Sequence, residues 1–321
     1  MSAAQFIQIH QPDSARLAAE AKAGLMRADA QVSPKFLYDA LGSRLFDAIT
    51  ELDEYYPTRT EAALLVRHAD AIAAAVHAAA GPGATLVDLG AGSCSKAAGL
   101  FNSLAPAAYV AVDISVDFLQ HAVATLQRQY PSVRMTGVGL DFSQHLALPA
   151  GLVPGRAVVF YPGSSIGNFD PDEALTLLRQ AHALSAGGAL LIGVDLVKPA
   201  AVLEAAYDDA LGVTAAFNLN LLNHLNRLVG ANFKVRDWRH VALFNAVHSR
   251  IEMHLEARCD ITVNWPGGRR CFVAGERVHT ENSHKWRRTD FETLLRSAGW
   301  RQVRSFTDER EWFALMVASA A

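Results

Sequence analysis

Cysteine is scarce, and its three residues, Cys94, Cys259 and Cys271, stand far apart with no Cys-x-x-Cys pair. That excludes a disulfide framework and a thiolate zinc site, and it suits a reducing cytoplasm. Charge of one sign is also lacking. A formal net charge of -3 gives no electrostatic basis for binding nucleic acid or an anionic membrane. No apolar run reaches membrane-spanning length; residues 65–80 are interrupted by Arg67, His68, Asp70 and His77. The start, Met-Ser-Ala-Ala-Gln-Phe-Ile-Gln, has neither the basic opening nor the apolar core of a signal peptide, so a cytoplasmic location is expected. With 51% hydrophobic and 19% charged residues in 321, the chain reads as globular, with one large or two ordinary domains.

The chain is organised around residues 84–93, Ala-Thr-Leu-Val-Asp88-Leu-Gly90-Ala-Gly92-Ser. The apolar run reads as a buried parallel strand. It ends where the backbone must turn sharply and approach something closely, which glycine allows. A second apolar run, residues 109–112, ends in Asp113. An acid about 20 residues beyond such a loop suits a ribose with two free hydroxyls. The third glycine of the dinucleotide pattern is missing, as is the Gly-Lys-Ser/Thr of a phosphate loop. A nucleoside with a small tail is therefore expected rather than a pyrophosphate.

Residues 14–28 read as a helix. Residues 33–60 mix aromatics and charges with little periodicity, which suits either a pocket lining or ordinary packing. Thr58-x-x-Glu61 matches a capping box opening a helix to about residue 80. Helices near 96–104, 116–130 and 171–184 then alternate with strands near 84–88, 109–112, 133–138, 157–161 and 189–194. This α/β alternation predicts a mostly parallel doubly wound sheet. Right-handed crossovers collect the strand-end loops on one edge, so Asp88, Asp113, Asp141 and the Gly163 loop should share it.

The pattern changes between residues 199 and 286, where a helix over 202–229 precedes an alternating strand over 248–257 and antiparallel strands around Pro266. A helix over 290–297, capped by Thr289, and strands near 301–306 and 312–317 close the chain. Residues 61–198 with 287–321 should form the main domain. Residues 199–286 should form an insertion, with residues 1–60 as an arm contributing to it. His248, Glu252, His254 and Glu256 complete no ligand set of defined spacing, so they read as a solvated strand face and no metal is expected.

Asp88-Leu-Gly-x-Gly with its ribose-type acid resembles motif I of the class I methyltransferases, which bind S-adenosylmethionine. Further motifs narrow the resemblance. They are Tyr38-Asp-Ala-x-Gly-Ser-x-Leu-Phe46, Glu54-Tyr55-Tyr-Pro-Thr-Arg59-Thr-Glu61, Phe160-Tyr-Pro-Gly163-Ser-Ser-Ile-Gly-Asn168-Phe, Ala206-Tyr207-Asp-Asp, Phe217-Asn-Leu-Asn-Leu-Leu and His279-Thr-Glu281-Asn-Ser283-His-Lys285. Together they closely resemble the histidine Nα-methyltransferases of ergothioneine biosynthesis, over roughly residues 30–318. The resemblance implies a Rossmann-like seven-stranded sheet with an inserted α+β substrate-binding domain. It implies an enzyme that takes L-histidine through mono- and dimethyl forms to hercynine, with three molecules of S-adenosylmethionine. A monomer is expected.

The resemblance also implies residue roles. Asn168 and Tyr207 would hold the substrate carboxylate. Glu281 and Ser283 would hold the imidazole, with Tyr55 and Met253 lining the same region. Asn282 stands where the family pattern usually has an apolar residue. Tyr38 would lie beside the substrate amine, and Phe46 would face the methylated ammonium or belong to ordinary core. For the cofactor, Gly90 would approach the methionine moiety and Lys96 would reach its carboxylate, unless Lys96 is a solvated first-turn residue. Asp113 would take the ribose, Asp141 and Phe142 the adenine, and Gly163 belongs to the same edge. Alternatives are a same-fold enzyme for another amino acid, such as tryptophan or a histidine derivative, and a non-catalytic ligand-binding relative. Glu281 and Ser283 favour an imidazole over an indole, which has one donor and no acceptor.

Overall fold

A computed structural model describes residues 4–9, 13–143 and 145–321. In chain order the first elements are β1 (Gln5–Gln8), α1 (Ser14–Leu25), α2 (Ala40–Thr50), α3 (Tyr56–Arg67), α4 (Ala69–Ala80), β2 (Thr85–Leu89), α5 (Ser95–Ala98) and α6 (Phe101–Leu104). There follow β3 (Ala108–Asp113), α7 (Val116–Gln129), β4 (Arg134–Gly139), β5 (Ala157–Tyr161), α8 (Pro171–Ser185), β6 (Ala189–Asp195), α9 (Ala200–Ala205) and α10 (Val213–Val229). The last elements are β7 (Trp238–Asn245), β8 (Arg250–Ala257), β9 (Ile261–Trp265), β10 (Gly268–Phe272), β11 (Arg277–His284), α11 (Arg288–Ser297), β12 (Arg301–Thr307) and β13 (Phe313–Ser319).

The chain divides into two compact units. The first holds β1, Pro57–Val197 and Lys285–Ala321. Its sheet runs β1-β4-β3-β2-β5-β6-β13-β12. Strands β1 to β6 are parallel, and β13 lies antiparallel to β6 and β12. The order reverses between β2 and β5, as in doubly wound sheets that take ligands beyond the carboxyl ends of the strands. The central strands are nearly continuous apolar runs because both faces are covered, with Asp88 of β2 a buried exception. Leu86, Tyr109, Val158 and Leu191 enter one core layer with α4 and α7, and Val87, Val110, Val159 and Ile192 enter the other with α8 and α11.

Seven of these strands are the expected ones, and β1 adds an eighth. This corrects the expectation that residues 1–60 act together as an arm of the insertion, since β1 pairs with β4 from Gln5↔Thr136 to Gln8↔Gly139. Phe6 lies over Gly137 so closely that a Cβ there would come within 2.8 Å of its ring. The expected single helix over 58–80 is two, α3 and α4, meeting at 75°. Thr58 opens neither, because α3 starts at Tyr56 with Pro57 in its first turn, where a missing N–H costs nothing.

The second unit holds α1, α2 and the chain to Tyr56, with Lys198–His284. A three-stranded antiparallel sheet, β11-β8-β7, packs on α10, which also packs on α1 and α2. The helix expected over 202–229 is broken because Asp209 caps α10, accepting from the N–H groups of Val213 and Thr214 at 2.9 and 2.8 Å. Likewise α11 begins at Arg288, one residue before the expected cap Thr289.

Candidate active site

In the first unit, the loop after β2 carries Gly90 and Gly92 at φ +68° and +50°, in the left-handed region. A side chain at either would meet no protein atom within 4 Å, so the backbone faces open space. The Gly92 N–H donates to Asp113 Oδ2 at 2.9 Å, and the Ser115 N–H donates to Asp113 Oδ1 at 2.8 Å. These bonds fix the Asp113 carboxylate at the strand end and leave each oxygen a further lone pair. Burial raises the pKa of Asp113 above the ordinary carboxylate value, against the lowering effect of its backbone donors. Asp141 follows β4 on the same edge, where its Oδ1 accepts from the Ser143 N–H at 3.1 Å. Phe142 packs edge-on to Tyr161 with ring centres 5.8 Å apart.

Lys96 sits in α5, immediately after the glycine loop. It is not a free first-turn residue: its Nζ donates to Glu61 Oε2 at 2.6 Å. Glu61 Oε1 accepts from the Gly163 N–H at 2.7 Å. Glu61 thus ties the loop after β2 to the loop after β5. Sequence reasoning missed this role by reading Glu61 as the far end of a capping box. Asn168 ends a short 3-10 helix, Ser165–Asn168, in the same loop and is half-buried. Cys94, beside the glycines, is buried and its thiol is pushed up to about 12 by burial, so it is inert at neutral pH.

In the second unit, the aromatics of residues 33–60 converge. Tyr38 packs edge-on to Phe46 and Phe217 at 5.6 and 5.5 Å between ring centres. Phe46 reaches Tyr55 at 6.2 Å, and Tyr55 reaches Tyr207 at 6.1 Å. The Tyr207 hydroxyl donates to Ser283 Oγ at 2.7 Å. Five of the expected residues, Tyr38, Phe46, Tyr55, Tyr207 and Ser283, therefore form one chain of contacts. Phe217 of α10 belongs to it and was not singled out from sequence, although its motif was.

A β-bulge at Thr280 sets the other half. His279 pairs with His254, yet Glu281 pairs with Met253 and Ser283 with Ile251. Thr280 is the extra residue, and its Oγ1 donates to the Met253 carbonyl at 3.0 Å. The bulge turns Glu281 onto the apolar face of β8, beside the buried Met253, where strict alternation would have put it on the polar face. Glu281 and Ser283, both buried, then share that face. Asn282 lies on the opposite face, and its Oδ1 accepts from His279 Nε2 at 2.8 Å. The departure from the family pattern at Asn282 thus leaves the Glu281–Ser283 face unaltered.

His240 of β7 anchors the other side of Tyr207. Its Nε2 donates to the Tyr207 carbonyl at 2.8 Å, so its Nδ1 accepts from Asn218 at 2.9 Å. Burial lowers the His240 pKa, consistent with this neutral tautomer. The polar face of β8 is not simply solvated. Glu256 is buried between Arg239 and Arg277, and Glu252 accepts from Arg250 at 2.8 Å and lies 3.2 Å from His254 Nε2. Burial pushes the His254 pKa down to about 4. Among the described residues no group of three or more His, Cys, Asp or Glu could hold a metal ion.

The chain matches the family model described as histidine-specific methyltransferase, SAM-dependent, over residues 17–320. It is 41% identical over 317 residues to the histidine N-alpha-methyltransferase of Mycolicibacterium smegmatis, covering 93% of each chain. It is 39% identical to the histidine N-alpha-methyltransferase of Mycobacterium tuberculosis, covering 92% of each. It is 29% identical to ergothioneine biosynthesis protein 1 of Neurospora crassa, over 90% of this chain and 33% of that one. With the doubly wound sheet and its glycine-loop edge, these matches make the chain an enzyme that belongs to the histidine-specific, S-adenosylmethionine-dependent methyltransferase family.

Proposed function

We propose that the enzyme transfers three methyl groups from S-adenosylmethionine to the α-amine of L-histidine, giving hercynine for ergothioneine biosynthesis. The observation that carries this reading is the buried pair Glu281 and Ser283 on one strand face, with Ser283 tied to Tyr207. Glu281 accepts a ring N–H of the substrate, and Ser283 donates to or accepts from the other nitrogen. Tyr207 holds the carboxylate, and Asn168 keeps the role that the resemblance implies. Neutral donors suit that task beside an ammonium and a sulfonium. Met253 and Tyr55 line the imidazole region.

The cofactor fits the residues present, because Gly90 and Gly92 leave their backbone open to close approach. Asp113 takes the ribose hydroxyls with its remaining lone pairs. Asp141 takes the adenine amino group, and the Phe142 N–H meets the ring. Lys96 reaches the tail carboxylate. When bound, S-adenosylmethionine supplies a methyl group on a sulfonium. The chain's own residues then mainly position the amine, whose lone pair must align with that methyl. Tyr38 lies beside the amine to orient it. The direct test is mass spectrometry of products after incubating the purified protein and S-adenosylmethionine with each amino acid in turn. Methyl transfer to tryptophan but not to histidine would overturn the reading.

Asp113→Ala is expected to weaken cofactor binding by roughly 1–3 kcal/mol, the loss when hydroxyls lose a charged acceptor. Calorimetry showing unchanged affinity in a folded variant would refute the ribose assignment. Phe46 bears on how far methylation proceeds. The carboxylate and ring anchors do not change as methyls accumulate, so the nitrogen returns to the same place each time. The Phe46 ring, packed between Tyr38, Tyr55 and Phe217, offers its face to a growing fixed charge. Phe46→Ala should therefore slow the later methylations more than the first. A time course should show mono- or dimethylhistidine accumulating only in the variant; equal slowing of all steps would assign Phe46 to packing.

A further inference from the structure

We propose that Glu61 is a positioning residue for the amino-acid tail of the cofactor, acting through Lys96 and the Gly163 loop. The inference rests on the reading of Lys96 given above and adds the group that makes Lys96 effective. Glu61 is 0% exposed. Its two oxygens are spent on Lys96 Nζ at 2.6 Å and the Gly163 N–H at 2.7 Å. The sheet makes room for it: a Cβ at Gly193, inside β6, would come within 2.1 Å of Glu61 Oε1. Lys96 keeps its side chain 33% exposed and makes no other hydrogen bond among the described residues.

Stability alone does not call for a carboxylate here. Apolar residues in place of a buried ion pair are often neutral or better for the fold. The arrangement instead prepares a ligand site. A lysine ammonium on its four-carbon stem carries about 2 kcal/mol of rotamer entropy. Glu61 holds it in one direction before the cofactor arrives, so less of that freedom is lost on binding. One Lys96 N–H goes to Glu61, and two remain for a carboxylate. The Glu61–Gly163 bond sets the facing loop in the same step.

Glu61→Gln tests this with an isosteric change. The glutamine oxygen can keep the Gly163 N–H, which leaves its amide donors facing the Lys96 ammonium and turns that ammonium away. Freeing the lysine charge works in the other direction, but solvent screens a partly exposed ammonium, so loss of orientation dominates. The measurement is calorimetry with two ligands: S-adenosylhomocysteine, and 5′-methylthioadenosine, which has the nucleoside but no amino-acid tail. Glu61→Gln is expected to weaken S-adenosylhomocysteine about tenfold and leave 5′-methylthioadenosine unchanged, the scale of one charge-assisted hydrogen bond. Lys96→Met should do the same, and the double variant should be no weaker than either single one, because the two residues act as a unit. Equal loss of both ligands would reduce Glu61 to a structural residue. Unchanged S-adenosylhomocysteine affinity in Glu61→Gln, with loss in Lys96→Met, would overturn Glu61 alone. Unchanged affinity in Lys96→Met would overturn the reading of Lys96 itself. If Glu61→Gln does not fold, Glu61→Asp, which withdraws the carboxylate from both partners, carries the same comparison.

Discussion

Glu281→Ala is expected to lower kcat/KM for histidine roughly 100-fold while leaving cofactor affinity within about twofold, the upper range for losing one hydrogen bond to a charged group. The side chain is buried, lies beside Met253 in the strand register, and is turned to that face by the bulge at Thr280. A carboxylate in that setting gains by accepting an imidazole N–H, and a ring that cannot donate at that place forgoes that bond. Its removal should also relax selectivity, because a site built to hydrogen-bond rejects ligands that leave its polar groups unpaired. The gap between histidine and tryptophan should therefore narrow in the variant. Rates with both amino acids decide this, and an unaltered preference for histidine would sink the assignment.

The bulge itself was not legible in the sequence. His279-Thr-Glu281-Asn-Ser283 alternates like any strand, and nothing in the residue types marks Thr280 as the extra one. Only the pairing with β8 shows that Glu281 and His279 lie on opposite faces. The sheet of the first unit was easier to read. Parallel strands covered on both faces must be nearly continuous apolar runs, and Asp88, Asp113, Asp141 and Gly163 stand at their ends or just beyond them. β1 gave no such signal, because four residues at an edge, half-exposed, need no apolar run. The break between α3 and α4 has no proline or glycine to announce it. Glu61 misled for a related reason: Thr-x-x-Glu is a local pattern, whereas the partners of Glu61 lie 35 and 102 residues away. On β8 the alternation was right and the surroundings were not, since Glu256 lies between arginines of both neighbouring strands.

A final expectation concerns Asp88, the acid at the end of β2. Its carboxyl is fully buried. Tyr109 donates to Oδ2 at 2.7 Å, and Oδ1 has no hydrogen-bond partner among the described residues. Burial, opposed by the Tyr109 hydrogen bond, pushes its pKa up from 3.8 to about 7. The folded chain thus keeps a proton between these values that the unfolded chain releases. The stability tied to that proton is fully present below pH 3.8 and is lost as pH rises to about 7. Above pH 7 the ligand-free fold carries a buried carboxylate with one partner. Asp88→Asn removes the charge and keeps an oxygen for Tyr109. The variant should match the wild type near pH 4 and exceed it by on the order of 4 kcal/mol at pH 8, given about 1.4 kcal/mol for each pKa unit. This cost falls two positions before Gly90, in the strand that feeds the glycine loop, where a charged carboxylate serves a ligand better than it serves the fold. The same variant should therefore bind S-adenosylhomocysteine more weakly than the wild type at pH 8. Denaturation at the two pH values, with calorimetry at the higher, checks both halves. Equal stability of the two proteins at pH 8 would show that the Asp88 carboxylate is accommodated without strain, and the ligand argument would lose its basis.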